Sequence, residues 1–286
     1  MLYKFLAFHK EIRVYSVDSK EVLNAYLENV NCSAVAIAAI GRLMSGTLMM
    51  GGMLKNDEKL LVSIQGNGPL AELKAEADAK GNVRGFVKNP LCDVPLKENG
   101  HLDVGKAVGD MGLLTVKKQL NLKEPFEGSC ELISGEIGED LSYYFGMSEQ
   151  TPTVVGLGVL VDVDYSILQS GGFIIQLLPN ASEEAYQYVE NLLKSIHSVS
   201  DLLKEYGAKE MILHLFNDAE LIESYPVQFK CNCSLEYAKT LLKKLDKKEI
   251  EEMILENQDI EIVCNFCQKK YCISPTILEE IKGEIR

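Results

Sequence analysis

Four of the eight cysteines stand near the end of the 286-residue chain, as Cys231-Asn232-Cys233 and Cys264-Asn265-Phe266-Cys267. Thiols at these spacings point to a four-thiolate metal site. A tetrahedral zinc ion with sulfur at about 2.3 Å needs its sulfurs roughly 3.8 Å apart, which calls for close ligand pairs from two chain segments. In an extended segment Cys231 and Cys233 project to the same side, and the two-residue spacer between Cys264 and Cys267 allows a turn that faces both thiols to one ion. Zinc bound by Cys231, Cys233, Cys264 and Cys267 is therefore expected. The spacing fits a purely structural clip as well as a reactive centre.

The elements that must position these thiols are legible around them. Cys233 leads through Ser234 into a helix with Leu235, Ala238, Leu242 and Leu245 on one face, and Asp246 with Glu249 caps the next helix. Ile260, Ile262 and Val263 make a strand that runs into Cys264, residues 271–273 a return strand, and Ser274-Pro275 caps a last helix. A module of this size, residues 226–286, has a small core and leans on its metal. Structural zinc contributes on the order of 10 kcal/mol to folding, so its removal should unfold much of the module.

Upstream, the chain mixes strand-like and helical stretches without a regular βαβ rhythm, which indicates α+β. Residues 60–65 and 70–77 read as a hairpin joined by Gly66-Asn67-Gly68-Pro69, with the next turn at Gly81-Asn82. Residues 153–163 and 172–178 are β-rich apolar runs closed by Pro179. The pair Gly156 and Gly158 lacks the third glycine of a dinucleotide fingerprint. From Ser182, a capping residue, Ala185, Val189, Leu192, Leu193 and Ile196 recur at helical spacing, with a break at Gly207 and a second helical piece to about Phe216. The division expected is a core over 1–179, a linker of short, marginal helices over 180–225, and the cysteine module over 226–286.

Charge narrows the partners. The formal net charge is -13 with pI about 4.9, and residues 226–286 carry 10 Lys+Arg against 11 Asp+Glu. Nucleic acid is disfavoured as a partner. Lys243, Lys244, Lys247 and Lys248, interleaved with Leu241, Leu242 and Leu245, form the wet face of a helix. Lys4, His9, Lys10, Glu11 and Arg13 break up any secretory apolar run, so the first residues are read as a strand. Residues 35–54 are mostly apolar, but Arg42 and four glycines make them a close-packed core helix rather than a membrane span. Cysteine pairs without an export signal argue for a reducing cytoplasm.

Several segments carry a resemblance to a known family: Gly41-Arg42, Gln65-Gly66-Asn67-Gly68-Pro69, Val83-Arg84-Gly85-Phe86, Ser134-Gly135-Glu136-Ile137, Tyr143-Tyr144-Phe145 and Ser148-Glu149-Gln150-Thr151-Pro152. Cys231-Asn232-Cys233-Ser234 and Cys264-Asn265-Phe266-Cys267 with Tyr271 match its C-x-C and C-x-x-C zinc pairs. Over nearly its whole length the chain resembles the thirty-three-kilodalton heat-shock proteins, redox-regulated holdase chaperones of the bacterial cytoplasm. The resemblance implies an N-terminal α/β core, a helical linker folded over it and a C-terminal zinc switch. One zinc per chain is implied in the reduced, inactive form. Oxidation is implied to pair Cys231 with Cys233 and Cys264 with Cys267, and unfolded or aggregation-prone clients are the implied partners. A homodimer of the oxidised form is compatible with that scheme.

The chemistry of the four residues agrees. Coordination holds cysteines as thiolates, the species that peroxide and hypochlorous acid attack, and oxidation should then eject the ion. A disulfide spanning one intervening residue closes a small ring with poor backbone geometry, so it should be readily reduced. Cys272, five residues after Cys267, is expected to be a packed strand thiol and dispensable for zinc, and Cys32, Cys92 and Cys130 to be buried and inert. His9, His101, His197 and His214 show no metal or triad spacing, and the Glu139-Asp140 pair reads as a solvated face. No ATP site is visible and no enzyme activity is expected. Two other readings are a zinc-clipped adaptor without redox behaviour and a thiol oxidoreductase built on Cys264 and Cys267, the latter left with only 19 residues after Cys267 for a thioredoxin-like sheet.

Overall fold

The structure, a computed structural model, describes residues 1–120 and 124–284. Its contacts divide the chain into two units, Met1–Lys230 and Cys231–Arg286.

The first unit opens with an antiparallel hairpin, β1 (Leu2–Ala7) and β2 (Ile12–Asp18). Its turn is unusual: Phe8, His9 and Lys10 all have positive φ, at 47°, 54° and 69°. A short helix α1 (Lys20–Leu27) leads to α2 (Ala34–Gly51), started by Ser33, whose side chain accepts from the Ala36 N–H. α2 is the helix expected from the apolar run. It is long and apolar enough to cross a membrane, but nearly every residue on it is buried inside this unit.

Around α2 the chain builds β3 (Lys59–Gly66), β4 (Glu72–Asp78) and β5 (Asn82–Val87), then α3 (Val104–Val108), β6 (Gly112–Gln119), β7 (Phe126–Glu131), α4 (Ile137–Ser148), β8 (Thr153–Val161) and β9 (Ile167–Leu177). The β3–β4 hairpin and the Gly81 turn into β5 lie where the turn residues placed them. The remaining elements are α5 (Glu183–Ser195), α6 (Val199–Leu215), β10 (Glu220–Tyr225) and β11 (Gln228–Phe229). Two sheets result, ordered β10-β1-β2-β9-β8 and β11-β5-β4-β3-β6-β7, and α2 packs against strands of both.

The central strands of the first sheet, β2 and β9, are buried on both faces. Tyr15, Val17 and Ile174 belong to the main core with α2, whereas the alternating Phe5, Ile12, Val14, Phe173, Ile175 and Leu177 form a second core with Val189, Leu203, Met211, Ile212 and Phe216 of the helical stretch. Two-sided burial is the reason residues 170–177 of β9 are buried without a break, Ser170 and Gln176 among them, rather than in alternation.

The stretch expected to be a linker of helices differs at its end. Residues 220–225 are a strand paired antiparallel with β1, and residues 228–229 pair in parallel with β5, so 226–230 belong with the first unit and not with the cysteines. Pairing with strands more than a hundred residues away selects this conformation, which local periodicity does not report.

The second unit holds α7 (Leu235–Leu242), α8 (Lys247–Leu255), the hairpin of β12 (Ile260–Val263) and β13 (Lys270–Ile273), and α9 (Pro275–Glu284). Ser234 accepts from the Tyr237 N–H, and Asp246 with Glu249 forms a capping box, as the sequence required. Its core is small: Leu242, Ile250, Ile273, Leu278 and Ile281 are its buried members.

Candidate metal centre

The second unit brings its two cysteine pairs to one point. The sulfurs of Cys231, Cys233, Cys264 and Cys267 all lie within 4.8 Å of one another, and among the described residues no other group of three or more His, Cys, Asp or Glu side chains gathers in this way. The shortest approaches run across the two segments, 3.6 Å between Cys231 and Cys264 and 3.3 Å between Cys233 and Cys267. Both are a little shorter than the roughly 3.8 Å of a tetrahedral four-sulfur shell, which lies inside the 4.8 Å that encloses all four sulfurs.

Local backbone explains the placement. Cys264 follows β12 directly, its N–H donates to the Lys269 carbonyl at 2.9 Å, and its carbonyl accepts from the Gln268 N–H at 2.8 Å, folding residues 264–269 into a tight loop before β13. Gln268 takes a positive φ of 55° to close it. On β13 the side chains alternate: Ile273 enters the small core, Tyr271 faces the sulfurs, and Cys272 between them is exposed. Cys272 is thus outside the cluster, as expected, but solvent-facing rather than packed.

The thiols differ from one another. Burial pushes the Cys231 and Cys267 thiols up. Burial acts in the same sense on Cys233, but hydrogen bonds from the Tyr271 hydroxyl and the neighbouring thiols outweigh it and bring Cys233 down to about 7. Cys267 is buried and the other three half-buried. A set of soft donors at tetrahedral separation, one of them already close to ionisation at neutral pH, fits zinc.

Elsewhere burial raises the Cys32 thiol to about 12 and the Cys130 thiol to about 11, the environment of inert thiols. Cys32 is buried, whereas Cys92 and Cys130 are only half-buried. Asp140, read as a solvated residue, is instead fully buried and accepts from the Ile133 and Ser134 N–H groups.

In the first unit the helical stretch is fastened to the sheet beneath it by contacts that sequence reading missed. The Glu11 carboxylate accepts from both the N–H and the hydroxyl of Ser182, the residue that caps α5. At the other end Asp218 accepts from the Phe8 and His9 N–H groups at 2.9 and 2.8 Å. Tyr188 of α5 packs its ring between Phe8 and Phe216, at 5.0 and 5.5 Å, and donates to the Leu215 carbonyl. In the middle, Gly207 breaks α6 with φ 70°, and the buried Ser16 hydroxyl donates to the Ala208 carbonyl at 2.8 Å. A Cβ on Gly158 would come within 2.5 Å of the Ser200 nitrogen, so α6 sits directly on β8 there. Residues 8–11, all in the first turn of the protein, therefore hold both ends of the segment.

An α+β chain whose smaller unit is organised about four convergent cysteines, and whose larger unit carries a helical layer over one sheet face, belongs to the class of proteins with a cysteine-clasped C-terminal module. The family model described as Hsp33 protein matches residues 1–274, and the chain belongs to that family. Among similar proteins, the 33 kDa chaperonin of Bacillus velezensis is 42% identical over 285 residues, covering 99% of this chain and 98% of the relative. The 33 kDa chaperonin of Staphylococcus carnosus is 43% identical over 285 residues, covering 99% and 96%. The crystal structure of the 33 kDa chaperonin, a heat shock protein 33 homolog, from Thermotoga maritima superposes with a TM-score of 0.91 at 35% identity, covering 99% of this chain and 97% of that one.

Proposed function

We propose that this chain is a redox-regulated, ATP-independent holdase of the cytoplasm, resting with one zinc bound by Cys231, Cys233, Cys264 and Cys267. The observation that carries the reading is the convergence of four sulfurs within 4.8 Å in a unit with few other buried residues. When bound, zinc keeps the four thiols deprotonated and ties the two segments together.

Two thiolates surrender two electrons to peroxide: one attacks the O–O bond to give a sulfenic acid and hydroxide, and the second displaces hydroxide from that sulfur to close a disulfide. A disulfide sulfur is a poor ligand, so oxidation of both pairs removes the charge that retains the ion. With Cys231 paired to Cys233 and Cys264 to Cys267, the link between segments is gone and the small core of the module is left to stand alone.

The first unit supplies what such a switch would release. Cys231 follows directly on Lys230, at the end of the chain that runs through α5, α6, β10 and β11. Beneath α5 and α6 lies a sheet face of Phe5, Ile12, Val14, Phe173, Ile175 and Leu177. Freed of its cover, such a face suits the exposed apolar segments of unfolded proteins. In this reading 180–225 is the metastable layer and 1–179 the client-binding core.

The test is peroxide with mild heat on the reduced, zinc-loaded protein. Zinc release is followed with a chromogenic chelator beside suppression of light scattering by a denaturing client. Release and client protection should rise together and reverse with dithiothreitol. Retention of zinc with no gain of client binding would leave a zinc-clipped adaptor instead.

A further inference from the structure

Backbone N–H groups of Cys233 and Lys269 act on the Cys231 and Cys267 sulfurs, and one side chain other than a cysteine also reaches the cluster. The Tyr271 hydroxyl donates to the Cys233 sulfur at 3.1 Å. Tyr271 is held from several sides: its strand partner in the hairpin is Ile262, the ammonium of Lys269 lies 5.6 Å from its ring centre, and Ile273 two residues on is anchored in the core. A ring fixed in this way delivers its O–H to one sulfur of the four.

We propose that Tyr271 is a positioning residue of the metal centre that withdraws charge from the Cys233 sulfur and slows the oxidation of Cys233. The inference rests on reading the cluster as a zinc site. A hydrogen bond to a thiolate occupies one sulfur lone pair and lowers the electron density offered to an electrophile, much as partners beyond the ligands tune other metal sites. Four thiolates on a divalent cation leave a net negative charge, and the phenol relieves part of it at Cys233. Attack on the O–O bond of peroxide by Cys233 is then slower than it would be without the phenol. The sulfenic acid formed is resolved by a neighbouring thiolate, with loss of hydroxide.

The test compares the reduced full-length chain with Tyr271→Phe, which removes one oxygen and keeps the ring. With cobalt in place of zinc, the thiolate-to-metal charge-transfer bands should move to lower energy in Tyr271→Phe, while the tetrahedral d–d bands stay. Zinc release under limiting peroxide should accelerate about tenfold, within the range found when partners of ligands are removed. Dimedone trapping with mass mapping should find Cys233 labelled more in the variant than in the parent, with the labelling of the other three ligands unchanged. Identical charge-transfer bands, release rates and labelling in the two proteins would overturn the inference. A parent chain that purifies without zinc and binds no cobalt would instead overturn the metal-centre reading on which it rests. Should Tyr271→Phe lose its d–d bands, the cadmium-113 form of the parent chain decides. Scalar coupling between the Tyr271 hydroxyl proton and the metal supports the hydrogen bond to a ligating sulfur, and its absence refutes it.

Discussion

Glu11 and Ser182 are joined by two hydrogen bonds to one carboxylate oxygen, 2.7 Å from the serine N–H and 2.5 Å from its hydroxyl. The bonds donated by Ser182 hold the Glu11 carboxyl below its ordinary range. Together with Asp218 on Phe8 and His9, this contact makes a single left-handed turn the fastening for both ends of a helical layer.

Removing that fastening should loosen the layer without touching the cysteines. In Asp218→Ala, and more so in the double variant with Glu11→Ala, amide exchange in α5 and α6 should rise about tenfold or more while exchange in β3 and β4 is unchanged. The variants should protect a denaturing client under reducing conditions with zinc retained. Faster exchange without client protection would place the client surface elsewhere.

Packing beneath the layer should matter more than its outer residues. Met211 is fully buried in the second core, whereas Leu192 is half-buried. Met211→Ala should cost about 2–5 kcal/mol locally. Leu192→Asp should cost less than a charge forced into Met211's position. Hydrogen exchange of α6, read beside light scattering, orders the variants, and an equal effect at the two positions would contradict this packing.

The ligand set is checked by single Cys→Ser changes with zinc measured per chain. Cys231→Ser, Cys233→Ser, Cys264→Ser and Cys267→Ser should each lower affinity by orders of magnitude and loosen the second unit. Cys272→Ser should keep one zinc per chain, because that thiol is exposed on the opposite side of β13 from Tyr271. Zinc loss from Cys272→Ser alone would refute the assignment.

A pH dependence is built into the core. Burial would raise the Glu136 carboxyl, but the Arg42 guanidinium, at 2.5 Å, and the Lys97 ammonium, at 2.8 Å, hold it below the usual range. A depressed carboxyl stabilises the fold above its unfolded value, about 4.3, and that contribution is lost as pH falls through the lower folded value. Glu136→Gln should therefore cost about 1–2 kcal/mol at pH 7, discounted for partial exposure, and the difference from the parent should shrink below pH 4. Denaturant melts of the first unit at pH 7 and pH 3.5 measure it, and a constant difference would exclude this ion pair as the cause.

Sequence by itself determined the features that act over a few residues. The spacing of Cys231, Cys233, Cys264 and Cys267 required two ligand pairs, Ser182 and Ser234 announced helix starts, Gly207 a break, and Gly66-Asn67-Gly68-Pro69 a hairpin, because caps and turns are satisfied by neighbouring backbone groups. Tertiary structure alone decided what depends on distant partners. Residues 220–225 became a strand because β1 offered unpaired backbone, Asp140 was buried because two loop N–H groups point at it, and Glu11 met Ser182 across 171 positions. The direction of the Tyr271 hydroxyl belongs to the same class: the alternation of β13 sets its side, but only the packed hairpin brings it to the Cys233 sulfur. Such contacts leave no local period in the sequence, since their energy is realised only once separate segments have been brought together.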